Sequence, residues 1–109
     1  MISDDDVEAA VEYLRTESKK AAKARAERIY MEEYRKVVKS QIMRERESLP
    51  IGAQERDAYS DPRYVDHLKA MQTAIEKDEY HRWMLVAAQA KIEAWRTQQS
   101  TARSLGKLE

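Results

Sequence analysis

Both prolines and one of the two glycines of this 109-residue chain fall between positions 50 and 62. The residues least compatible with a helix interior are therefore gathered in one central stretch. Nothing breaks the arm before it or the arm after it until Gly106. Ala, Glu, Lys, Leu and Arg make up 54 of the residues, a composition typical of long helices and coiled coils. In the first arm, Ser3 followed by Asp6 reads as a capping box with an acid in place of Glu, and Asp4, Asp5 and Asp6 suit the positive end of a helix dipole. In the second, Asp61 before Pro62 places an N-cap ahead of a proline at the first helical position. The spacing predicts helix 1 over about 4–47, a linker over about 48–61 with room for one short helical turn, and helix 2 over about 62–104, ended by Gly106. The expected fold is all-α: a single-domain, coiled-coil-like long antiparallel helical hairpin over 1–109.

The apolar stock limits how such a hairpin can stand. Leu, Ile, Val and Phe total only 18, and 15 of the 46 nominally hydrophobic residues are Ala. That is too little for one compact core in a small chain. In helix 2 a heptad seam runs through Tyr64, Leu68, Met71, Ile75, Asp78, Arg82, Leu85, Gln89, Ile92 and Arg96; in helix 1 the stripe is Val7, Val11, Leu14, Ser18, Ala22, Ala26, Ile29, Tyr30, Tyr34, Val37, Val38 and Ile42. A further apolar line, Trp83, Met84, Ala87, Ala88 and Trp95, lies on another side of helix 2. One hairpin cannot cover both. A homodimer, paired as a four-helix bundle with Trp83, Ala87 and Trp95 at the interface, is the expected solution.

Charge sums to zero but is unevenly placed. Residues 1–14 carry five acids and no base, whereas eleven bases lie between Arg15 and Arg46. The densest part, Lys19, Lys20, Lys23, Arg25 and Arg28, contains one acid, Glu27. With a turn near Glu55, this stretch is expected to lie across from Tyr80 to Trp83. Together with Arg96 these bases form a candidate surface for nucleic acid or another partner; the plainer alternative is a solvated helix face paired with Glu neighbours. No zinc finger, glycine-rich RNA motif or helix-turn-helix accompanies them.

Catalytic material is scarce. The chain has no Cys, two His and two Gly, and it contains no nucleophile elbow and no phosphate-binding loop. The best case for an enzyme is a carboxylate-bridged di-metal bundle, for which Asp78-x-x-His81 with Glu32 or Glu33 opposite offers one spacing. Asp in place of Glu, and Arg82 as the obvious partner for Asp78, make an ion-paired layer that fixes register the stronger reading. His67 has no His four residues away and reads as a surface residue. No enzyme, cofactor, metal or small-molecule substrate is expected. No apolar run approaches a membrane span and the acidic start is unlike a leader peptide, so a cytoplasmic protein is expected.

The segments Ile29-Tyr30-Met31-Glu32-Glu33-Tyr34-Arg35-Lys36 and Ala90-Lys91-Ile92-Glu93-Ala94-Trp95-Arg96 resemble those of small helical proteins encoded by tailed bacteriophages and prophages. The resemblance implies a host-cell cytoplasmic setting and a role in phage DNA replication or recombination, or in inhibiting a host factor. It carries over no catalytic residue. The expected function is a non-enzymatic interaction or adaptor protein that binds a macromolecular partner, with accessory DNA binding through the basic helix face as the alternative.

Overall fold

The computed structural model describes residues 1–108, which form three helices and, among the described residues, no strand. Helix α1 spans Asp4–Arg44, α2 spans Ile51–Ser60 and α3 spans Pro62–Leu108. The capping box forms as its residues require: Ser3 N–H donates to Asp6 Oδ2 at 3.0 Å, and Asp6 N–H donates to Ser3 Oγ at 3.1 Å. Ahead of α3, Asp61 Oδ1 accepts from the Arg63 N–H at 2.8 Å while Pro62 fills the first helical position, where no donor is needed.

Two elements depart from the expectation. The stretch read as a linker is mostly helix: α2 has 10 residues. Pro50 precedes it and so interrupts no helical hydrogen bond, Gln54 Nε2 donates to the Leu49 carbonyl at 2.8 Å, and Ala53 to Ala58 are compatible with helix. At the other end, α3 does not stop before Gly106 but continues through it to Leu108. Glycine ends a helix when it turns left-handed, and neither glycine here has positive φ.

The chain packs as two compact units, residues 1–22 with 80–109 and residues 23–79. In each, α1 and α3 run antiparallel. The second unit contains α2 and the best-formed core, where Ile42, Ala58 and Tyr64 are buried together and Val38 and Met43 pack against them. Lys39 fastens α2, its Nζ 3.7 Å from Glu55 Oε1 and 4.7 Å from the centre of the Tyr59 ring. Arg46 Nε lies 3.6 Å from Asp57 Oδ2. Among the described residues of the first unit, Ala10 and Ala88 alone are buried, and Leu14, Leu85, Ile92 and Trp95 are half-buried.

Burial shows which residues make the seam. In α3 the buried and half-buried positions are Tyr64, His67, Met71, Ala74, Ile75, Asp78 and Glu79 in the second unit, and His81, Leu85, Ala88, Ile92, Ala94, Trp95 and Gln98 in the first, among the described residues. Every seventh member matches the expected seam, and of the members between them Ile75 is half-buried as expected while the other four are displaced by one residue. Leu68, Arg82, Gln89 and Arg96 are exposed, and His67, His81, Ala88 and Trp95 take the inward places. Helix α1 shows the same shift: Val11 is 51% exposed while Ala10 is buried. From Tyr64, both a step of three and a step of four keep helical spacing. The step of three leaves Arg82, Gln89 and Arg96 in water and turns small or aromatic side chains inward, avoiding the desolvation of two guanidinium groups.

Candidate functional site

Heptad steps bring charge into the seam at one level of the second unit. Seven-residue steps from Val7 reach Leu14, Ala21 and Arg28; from Tyr64 they reach Met71 and Asp78. Arg28 Nη1 donates to Asp78 Oδ2 at 3.0 Å and to Glu79 Oε1 at 3.3 Å, and its Nε donates to Glu32 Oε1 at 2.9 Å. The Asp78 side chain is only 14% exposed, so the pair is screened less than a surface pair. Glu32 first, then Asp78, raise the Arg28 guanidinium further above its ordinary value. Asp78 thus takes its partner from the facing helix, where the sequence suggested Arg82. The seven-residue steps were the signal that would have found it.

This layer also bears on the metal reading. Among the described residues no group of three or more His, Asp or Glu is arranged to hold a metal ion. Asp78 and Glu32, two of the residues proposed for it, are instead hydrogen-bonded to Arg28. His81 lies in the seam of the first unit, its Nδ1 buried without a hydrogen-bond partner. His67, read as a surface residue, is half-buried: its Nε2 lies 2.7 Å from the Met31 carbonyl oxygen, and its ring centre is 5.8 Å from that of Tyr34. That contact requires the proton on Nε2.

The candidate bases divide by the company they keep. Lys19 and Lys20 belong to the first unit; Lys20 Nζ is 3.5 Å from Glu17 Oε1, and Lys19 is exposed with no ion pair among the described residues. Lys23 and Arg25 belong to the second unit and are exposed in the same unpaired way. Arg28 is spent on the polar layer. Arg96 pairs with Glu93 at 3.1 Å on the surface of α3.

The tryptophans separate as well. Trp95 is half-buried in the seam of the first unit, and its Nε1 donates to Asp4 Oδ1 at 3.0 Å. Close by, the Ile2 N–H donates to Gln98 Oε1 at 3.2 Å. Trp83 points outward and is 60% exposed, with the Arg82 guanidinium 5.4 Å from its ring centre. Tyr80 is also 60% exposed and meets His81 edge-on at 5.6 Å. Ala87 is exposed and helps line a shallow groove with Asp6, Ala9, Ala10, Tyr13, Met84, Ala88 and Lys91. Desolvation pushes the Tyr13 phenol above its ordinary value.

Among the described residues, no helix is long and apolar enough to cross a membrane. Compared with family models, with curated proteins and with solved structures, the chain finds no match in any of the three.

Proposed function

We propose that this chain is a non-enzymatic helical interaction protein, an adaptor that works as a homodimer and binds a macromolecular partner. Its proposed setting is that of a phage-encoded protein in the host-cell cytoplasm. The observation that carries the reading is a set of large side chains left in water. Tyr30 is 64% exposed and Tyr80 and Trp83 are each 60% exposed, and aromatic rings left in water are the usual anchors of an interface.

Light scattering at micromolar concentration is expected to give twice the 12.8 kDa chain mass; a value equal to one chain overturns the dimer. Affinity capture from host lysate, with and without nuclease, tests the adaptor role. Specific recovery of a protein that survives nuclease supports it, and recovery that depends entirely on nucleic acid overturns it.

A second reading is accessory nucleic-acid binding. Lys19, Lys23 and Arg25 favour it, being exposed and unpaired among the described residues. Binding of a labelled oligonucleotide should then weaken steeply as salt rises. Replacing Lys19, Lys20, Lys23 and Arg25 together by Glu should abolish it; unchanged affinity removes this reading.

A further inference from the structure

We infer that a second copy of this chain docks antiparallel on the C-terminal end of α3, over Gln99 to Lys107, and sets the acidic first turn of its α1 against the basic end of this one. The inference rests on the homodimer reading and names its interface. Among the described residues Gln98 is the last half-buried position of α3 and accepts from the Ile2 N–H, just beyond Trp95 and its bond to Asp4. Every residue from Gln99 to Lys107 is exposed, Leu105 at 58%. Ser100, Thr101, Ser104 and Gly106 in this stretch are weak helix formers, so its helix draws little from propensity and gains most from a neighbour. Seven-residue steps carry the seam onto it, from Leu85 and Ile92 to Gln99 and Gly106 and from Ala88 and Trp95 to Ala102.

Charge says what the neighbour is. From Thr97 to Leu108 the chain carries Arg103 and Lys107 and no acid, whereas residues 1–14 carry five acids and no base. Arg103, Lys107, Asp5 and Glu8 are all exposed, with no ion pair among the described residues. A two-fold axis level with Ala102 and Arg103 lays the two exposed ends side by side, each continuing the seam of the other. It brings Lys107 level with Gln98 of the other copy, where α1 begins, and Arg103 follows one turn behind. Basic end and acidic turn then meet twice, once on each side of the axis. The negative end of the α3 dipole also approaches the positive end of α1. A polyanion would match the two bases but sit beside Asp5 and Glu8, whereas self-pairing satisfies both signs. Trp83, about 24 Å before Gln99 along the helix, stays free for the macromolecular partner.

The chain has no cysteine, so one introduced thiol reports its own position. Ala102→Cys is expected to cross-link to a covalent dimer with a short bismaleimide. Ala90→Cys is expected not to, because antiparallel copies hold the two 90 positions about 38 Å apart along the helix. Arg103→Glu with Lys107→Glu should weaken dimerisation about tenfold, and so should Asp5→Lys with Glu8→Lys. The four changes together should restore it, and that recovery separates lost attraction from lost folding. Failure of Ala102→Cys to cross-link, efficient cross-linking of Ala90→Cys, or a combined variant no better than its parents overturns the proposed face. So does a labelled oligonucleotide that binds the wild type and not the Arg103→Glu, Lys107→Glu variant while the dimer is undiminished. If the wild-type mass is nevertheless that of two chains, the homodimer reading survives that failure. A wild-type mass of one chain removes both.

Discussion

The two units are built from the same two helices yet hold together differently. In the second, α2 lays Ala58 against Ile42 and Tyr64, and Ile42 is 1% exposed. Among the described residues of the first there is no third helix, full burial is confined to Ala10 and Ala88, and the larger side chains are covered only in part. Two helices in contact bury a stripe, and a third closes over its edge. The difference teaches where each unit's stability comes from. The second has a core of its own, while the first relies on a thin seam and a few polar fastenings, and it is the one that displays Trp83 and Tyr80.

The largest expected effect lies in that core. Ile42→Ala should cost about 3 kcal/mol in urea unfolding, whereas Leu85→Ala, at a half-buried position of the first unit, should cost about 1 kcal/mol. Equal losses would break the contrast. Next comes the polar layer. Asp78→Ala leaves Arg28 with fewer acceptors and should lower the urea midpoint by less than Ile42→Ala, but by more than Glu33→Ala, which removes an exposed pair with Lys36. One molar salt should erase the effect of Glu33→Ala and only part of that of Asp78→Ala.

Acid offers a third comparison, because the clearest depressed carboxylate lies in the second unit. Arg63 side-chain hydrogen bonds, and then its backbone N–H, hold the Asp61 carboxyl down to about 2, and the same guanidinium lowers Glu45. A depressed folded-state pKa contributes stability that is fully present above the unfolded value, near 3.8 for Asp61, and is lost as the carboxylate is protonated. Thermal stability should therefore decline as pH falls from about 4 towards 2, and Asp61→Asn should flatten that decline. An unchanged profile would show that this fork does not govern the acid response. The smallest effects are gains. Gly52→Ala and Gly106→Ala meet nothing within 4 Å and both positions are helical with no positive φ. Each should stabilise by about 0.5 kcal/mol, read as a higher melting temperature.

Much of this architecture is legible in the residues. Pro50, Gly52 and Pro62 locate the bend, Ser3 with Asp6 starts α1, and Asp61 with Pro62 starts α3, because capping and proline geometry are local physics. The seam is legible only by halves. Tyr64, Met71, Asp78, Leu85 and Ile92 follow from the heptad, but whether Leu68 or His67 turns inward depends on what faces it from α1. Hydropathy favours Leu68, and the structure leaves it 41% exposed, since the phase that buries it also drives Arg82 and Arg96 into the contact. The candidate site divides in the same way. The exposure of Lys19, Lys23 and Trp83 agrees with their helical positions, whereas the commitment of Arg28 to Asp78 and of Trp95 to Asp4 is a property of pairing. The stretch read as holding one short helical turn is the 10-residue α2, because its packing over Ile42 is not legible in its own residues, whose first turn contains a glycine.

The backbone of this protein has one further consequence. Among the described residues no φ is positive, and even the connection between α1 and α2 closes on itself, with Arg46 N–H to the Met43 carbonyl and Leu49 N–H to the Arg46 carbonyl, both at 2.9 Å. Among the described residues, main-chain amides are thus largely consumed in holding the chain together, and what the helices hold out to solvent is mostly side chain. The macromolecular partner proposed for this chain would then be read chiefly by the tips of side chains projecting from helical rails, where selectivity is rewritten one residue at a time without bending a turn.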